Sequence, residues 1–120
     1  NRGTQNFHKF YIKTKMRKVI KEDVVKSLES NDTFVVKFEA DWCGPCRMLT
    51  EVFNGVDKEL NEQYPSIQTV RFDIDSDVEY AKSFNIRGVP VLIAFKEGKE
   101  VGRKVGLISD KQILDFYSTL

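Results

Sequence analysis

"FVVKFEADWCGPCRML", residues 34–49, decides the fold, because a stretch rich in β-branched and aromatic residues runs straight into two cysteines and a proline. "TFVVKFEA" has the composition of a central strand, and Asn31 and Asp32 turn the chain before it. Pro45 suits the first turn of a helix, where a missing N–H leaves nothing unpaired. Behind it Met48, Leu49, Val52, Phe53, Val56, Leu60 and Tyr64 keep a helical apolar stripe until Pro65. The two thiols therefore lie at a strand-to-helix junction.

Working outward, "KVI" at Lys18 to Ile20 predicts a short strand, and "EDVVKSLES" a helix with Val24, Val25 and Leu28 at helical spacing. "IQTVRFDI" alternates as the next strand. In "SDVEYAKSF" a short helix would set Val78, Ala81 and Phe84 on one face. "VPVLIAFK" and "EVGRKV" read as a hairpin turned at Gly98. Ser109 and Gln112 form a capping-box signal for a last helix, "DKQILDFYSTL", whose Ile113, Leu114, Phe116 and Tyr117 can close the core. The order β-α-β-α-β-α-β-β-α predicts one α/β domain with a mixed sheet.

Composition narrows the function. A chain of 120 residues with 41% hydrophobic content buries one modest core. Nineteen basic against eighteen acidic residues give no global field pointing to nucleic acid or an anionic membrane. No run approaches the roughly 18 apolar residues of a membrane span, and a secretory h-region is missing, so a cytoplasmic protein is expected. Residues 1–15, "NRGTQNFHKFYIKTK", are polar and basic with no sustained register. They read as an N-terminal extension or a vector-derived scar, with the domain at 16–120. The lone histidine, His8, falls in that segment and is a poor catalytic candidate.

Three readings compete for Cys43 and Cys46. A zinc site needs about four ligands, and this pair with one distant histidine falls short, so no metal is expected. A purely structural disulfide across so short a loop constrains little of the unfolded chain. The redox reading fits the β-α-β setting. At a helix N-terminus, unpaired N–H groups and the positive end of the macrodipole stabilise a thiolate, lowering the Cys43 pKa from about 8.5 towards 7. Cys43 is then the exposed nucleophile and Cys46, one turn further in and more buried, the resolving thiol. Gly44 lets the backbone pass close by, and Pro45 restricts the turn.

"WCGPC" at Trp42 to Cys46 matches the active site of the thioredoxin family letter for letter. "IRGVP" at Ile86 to Pro90 resembles the family's cis-proline loop, "FKEGKEV" at Phe95 to Val101 its hairpin, and "KVGLIS" at Lys104 to Ser109 its glycine segment. These segments stand in family order over roughly residues 16–120. The resemblance implies the thioredoxin fold, with a central mixed β-sheet of four to five strands flanked by helices on both faces. It implies a monomeric protein-disulfide reductase without a bound cofactor, using Cys43 and Cys46 and recharged by a thioredoxin reductase or an equivalent electron donor. Disulfide-containing client proteins would meet Trp42, Gly44, Pro45, Val89, Pro90, Gly106 and Leu107, with the Val89 backbone pairing as an added strand. Two alternatives stay open: a relative tuned to disulfide oxidation or isomerisation, and a binding subunit that uses the same patch without redox turnover.

The chain departs from the family in the strand before the motif. Lys37 stands where a buried aspartate is common, and Glu39 where many members carry a tryptophan. The two share a strand face, so they can pair, and Glu39 can replace the missing acid-base group. Arg71 stands where the family often has a lysine. Together Lys37, Glu39 and Arg71 are the candidates for tuning the thiol pKa. Glu51 replaces a kinking proline of the active-site helix, which predicts a straighter helix or a bend at Gly55.

Overall fold

The computed structural model describes residues 16–120, so the expectations for residues 1–15 and His8 lie outside the described residues. The strands are β1 (Arg17–Val19), β2 (Phe34–Glu39), β3 (Gln68–Asp73), β4 (Val91–Lys96) and β5 (Lys99–Val105). The helices are α1 (Lys21–Glu29), α2 (Gly44–Gln63), α3 (Val78–Ser83) and α4 (Asp110–Ser118), with a 3-10 turn at Ile74–Ser76. One mixed sheet has the order β1-β3-β2-β4-β5, in which β1 and β2 run parallel to β3 while β4 runs antiparallel to both β2 and β5. This is the thioredoxin fold expected from the sequence.

β2 is the central strand, and all six of its residues are buried. Its alternation splits the core in two. Phe34, Val36 and Phe38 pack with Val24, Phe72, Ala81 and Ile93 on the side of α1 and α3. Val35 packs with Leu49, Phe53, Val56, Ile113 and Phe116 on the side of α2 and α4. The capping box of α4 forms as predicted. The Gln112 N–H donates to Ser109 Oγ at 3.2 Å, and the Ser109 N–H donates to Gln112 Oε1 at 2.9 Å. The β4–β5 hairpin turns through Glu97 and Gly98, both at positive φ, where glycine is the residue without a Cβ penalty.

Several details differ from expectation. β1 is Arg17–Val19, one residue earlier, and Ile20 is an exposed N-terminal cap of α1. The Ile20 N–H is held by the Asp23 carboxylate. Val78 does not join the buried face of α3: Ala81 is buried and Phe84 half-buried, but Val78 stands exposed at the first helical position. Met48, assigned to the apolar stripe of α2, is exposed as well. The helix itself runs uninterrupted past Glu51 and Gly55 to Gln63, as the loss of a proline in its interior allows.

Candidate active site

β2 delivers the chain to the site, and α2 begins there. Cys43 is the N-terminal cap of α2 with an extended backbone, Gly44 and Pro45 fill the first helical positions, and Cys46 follows within the first turn. The Cys46 N–H points at Cys43 Sγ, 3.1 Å away. One of the helix's free N–H groups is thus spent on sulfur, where it favours a thiolate over a thiol. The two cysteines are joined as a disulfide with a Cα–Cα distance of 5.3 Å, within the usual range for a bridge.

Cys43 is 4% exposed and Cys46 2%, so the outer cysteine is more enclosed than its nucleophilic role suggested. The enclosure comes from Ala40, Ile74 and Val89, which pack around the pair. The Ala40 carbonyl also accepts the Cys43 N–H at 3.1 Å. Val89 and Pro90 are joined by a cis peptide bond, as the resemblance implied, and the Val89 carbonyl oxygen lies 3.7 Å from Cys43 Sγ. Gly106, at positive φ, donates its N–H to the Pro90 carbonyl at 2.8 Å. That bond ties the Gly106–Leu107 segment to the cis-proline loop. Around the disulfide, Trp42 and Leu107 are exposed at 68% and 44%, Gly44, Val89 and Gly106 are half-buried, Pro45 is exposed and Pro90 buried. The residues expected to meet a client are therefore gathered, with an apolar surface open beside the sulfurs.

An exposed tryptophan needs something to hold it. The Trp42 Nε1–H donates to Asp75 Oδ2 at 2.9 Å, across 33 residues of sequence. Asp75 itself is fixed by the turn after β3, where its N–H donates to Asp73 Oδ1 at 2.9 Å. Arg47 clamps the other side of the loop by donating from Nη1 to the Asp41 carbonyl at 2.6 Å. Sequence reasoning missed Asp75, since nothing local marks a carboxylate in an acidic turn as the partner of a distant indole.

Beneath the motif, Lys37, Glu39 and Arg71 do come together. Lys37 Nζ donates to Glu39 Oε1, and Arg71 Nη1 donates to Glu39 Oε2 at 3.2 Å. The Lys37 side chain is fully buried, Glu39 is 9% exposed, and Arg71 reaches partly into solvent. Burial holds the Lys37 pKa below its ordinary value; the hydrogen bond and charge of Glu39 oppose that shift, and the Arg71 charge adds to it. Among the described residues, Lys37 and Glu39 are the only buried charged side chains. No group of three or more metal-ligating side chains is gathered among them, and no described helix is long and apolar enough to cross a membrane.

The family model described as Thioredoxin matches residues 12–119. A thioredoxin of Chlamydia trachomatis is 41% identical over 96 residues, covering 80% of this chain and 88% of the relative. Among solved structures, a mutant thioredoxin from Halobacterium salinarum superposes with a TM-score of 0.74 at 29% identity, covering 89% of this chain and 91% of that one. The oxidised mitochondrial thioredoxin 3 of Saccharomyces cerevisiae gives a TM-score of 0.73 at 25% identity, covering 88% and 95%.

Proposed function

The chain belongs to the thioredoxin family and is a thiol-disulfide oxidoreductase, and from that premise we propose that it reduces protein disulfides with Cys43 attacking and Cys46 resolving. The observation that carries this division of roles is the Cys46 N–H aimed at Cys43 Sγ. Only the capping sulfur receives that bond and the positive end of α2, so only it is favoured as a thiolate.

In the reduced enzyme the Cys43 thiolate attacks a client disulfide. The client S–S bond breaks, a Cys43–client bond forms, and the departing client sulfur takes a proton from water. Cys46 then loses its proton and attacks Cys43 Sγ, closing the Cys43–Cys46 bond and releasing the second client thiolate. Two electrons pass to the client, and an external two-electron donor of the reductase class restores the dithiol. Glu39 is the only buried carboxylate among the described residues, and it stands four residues before Cys43 at the end of β2. It is the group we assign to receive the Cys46 proton, with Lys37 and Arg71 holding it in place. Trp42, Val89, Pro90, Gly106 and Leu107 offer the client an apolar bed and the backbone of Val89. A reducing compartment such as the cytoplasm supplies the direction this reaction needs.

Trapping tests the reading. Cys46→Ser should accumulate covalent complexes with disulfide-containing clients on non-reducing gels, and Cys43→Ser should not. Equal trapping by both variants would sink the assignment of roles. In glutathione buffers the pair should equilibrate on the reducing side of about −200 mV, whereas a value near about −120 mV would make the protein an oxidant.

A further inference from the structure

Beyond the apolar bed around the disulfide, a shallow groove runs between α2 and the segment that follows Gly106, lined by Met48, Glu51, Val52, Leu107, Ile108 and Ser109. Four of the six are apolar. Val52 and Ile108 are the more enclosed and form its floor, while Met48, 56% exposed, and Leu107 stand up on opposite sides. A water-facing pair of large apolar side chains over an apolar floor is unusual for a surface that touches nothing. Glu51 is the one charged side chain in the lining. It is exposed and makes no ion pair with any described residue. Ser109 is already engaged as the cap of α4.

The groove continues the site. Leu107 belongs to both, since its neighbour Gly106 is bonded to the Pro90 carbonyl, and Met48 lies two residues beyond Cys46. A client chain held in extended form at Val89 advances about 3.3 Å per residue, so a few residues reach past the disulfide to the groove. We propose that this groove is a second client subsite, which takes a large apolar side chain followed by a cationic one, with Met48 and Leu107 gripping the first and Glu51 pairing with the second. The inference rests on the reading of the protein as a protein-disulfide reductase. The occupant follows from the lining: an apolar slot selects an apolar residue, and a carboxylate at its edge with no ion pair among the described residues favours Lys or Arg and disfavours Asp or Glu. The helix makes this charge possible, because Glu51 sits where a kinking proline would carry none.

The test uses disulfide-bonded peptides in which a Leu-Lys pair is walked through the five positions on either side of one cysteine, with matched Leu-Glu and Ser-Lys sets. At the best position, kcat/KM for Leu-Lys should exceed Leu-Glu by about threefold, in line with an exposed charge pair, and the gap should shrink in high salt. It should also exceed Ser-Lys by several-fold, and Met48→Ala should narrow that second ratio. Glu51→Gln should bring the Leu-Lys to Leu-Glu ratio close to one, and Glu51→Lys should invert it. Reduction of all peptides at equal rates by the parent overturns the subsite while leaving the reductase reading standing. A charge preference that survives in Glu51→Gln overturns the role of Glu51. Failure to reduce any peptide overturns the reductase reading and this inference with it.

Discussion

The two faces of β2 are equally buried and chemically opposite. Towards α1 and α3 the strand presents Phe34, Val36 and Phe38, all within an unbroken apolar cluster. Towards α2 and α4 it presents Val35, then Lys37, then Glu39, so the core turns ionic as the strand nears the cysteines. A sheet face that served stability alone would continue with apolar residues, since burying two charges costs solvation that their attraction only partly returns. The difference shows where the strand is given over to packing and where to the chemistry at its end.

Phe38 carries the largest share of the apolar face. Its ring packs edge-on to Phe72 at 5.8 Å between centroids and against Phe84 at 5.4 Å, and it is fully buried. Phe38→Ala should therefore lower unfolding free energy by about 3–5 kcal/mol in urea titrations. The pH dependence of Cys43 reactivity should be unchanged in the folded variant. A loss below about 1 kcal/mol would mean that the apolar face is not the one that holds the fold.

How much of this was legible before the structure depends on what each signal encodes. The strand-cysteine-helix junction, the α4 capping box and the hairpin at Gly98 are local, and short-range spacing reported them. The cis bond at Pro90 was not readable from its own residues; only the match of "IRGVP" to a known loop gave it. Met48 and Val78 were misjudged for one reason. Periodicity tells which residues share a helix face, but not how wide the covered stripe is: Met48 lies beside the fully buried Leu49 yet outside the buried stripe, and Val78 stands at the first position of its helix. The Trp42–Asp75 bond escaped because it joins two loops whose approach only the folded sheet sets. The pairing of Lys37 with Glu39 was visible from period-two alternation, and Arg71 completes it because β3 lies beside β2 with Arg71 opposite Lys37.

A smaller effect separates the faces by pH. Replacing Lys37 with Met removes a buried cation but leaves Glu39 bonded to Arg71, so the loss of stability at neutral pH should stay below the about 3–5 kcal/mol that a buried charge stripped of its partner costs. The alkaline limb should change more clearly. Burial holds the folded pKa of Lys37 below the unfolded value of 10.5. Between those two values the unfolded chain binds more protons than the folded one, so the Lys37 contribution to stability rises with pH through that window and is complete above 10.5. Below the folded pKa the penalty of the buried cation is constant. Urea midpoints across the alkaline range should show this rise in the parent and in Phe38→Ala, but not in Lys37→Met. A rise that persists in Lys37→Met would assign it to some other group.

The smallest effect is the one that reaches the sulfur. With all three members ionised, Lys37, Glu39 and Arg71 are two cations and one anion, a net charge of +1 on β2 and β3 towards the end of β2 that leads to the cysteines. A cation there favours the Cys43 thiolate, and the Glu39 carboxylate opposes it. Removing Lys37 takes the cluster to zero, so the Cys43 thiol should become harder to ionise. Because the cluster is paired, the change should be modest: the alkylation pKa of Cys43 in reduced Lys37→Met should lie about half a unit above the parent, roughly 0.7 kcal/mol of differential interaction. A thiol that ionises less readily stabilises the reduced form less, so the variant should also be the stronger reductant in glutathione buffers. Coincident alkylation curves have two meanings, and the alkaline unfolding data separate them. If the rise begins only above neutral pH, Lys37 is charged at neutral pH yet silent at the sulfur, and the ionic face of β2 serves proton transfer through Glu39. If the rise begins below neutral pH, Lys37 is already uncharged where the thiol titrates, and Arg71 alone balances Glu39 beneath the cysteines.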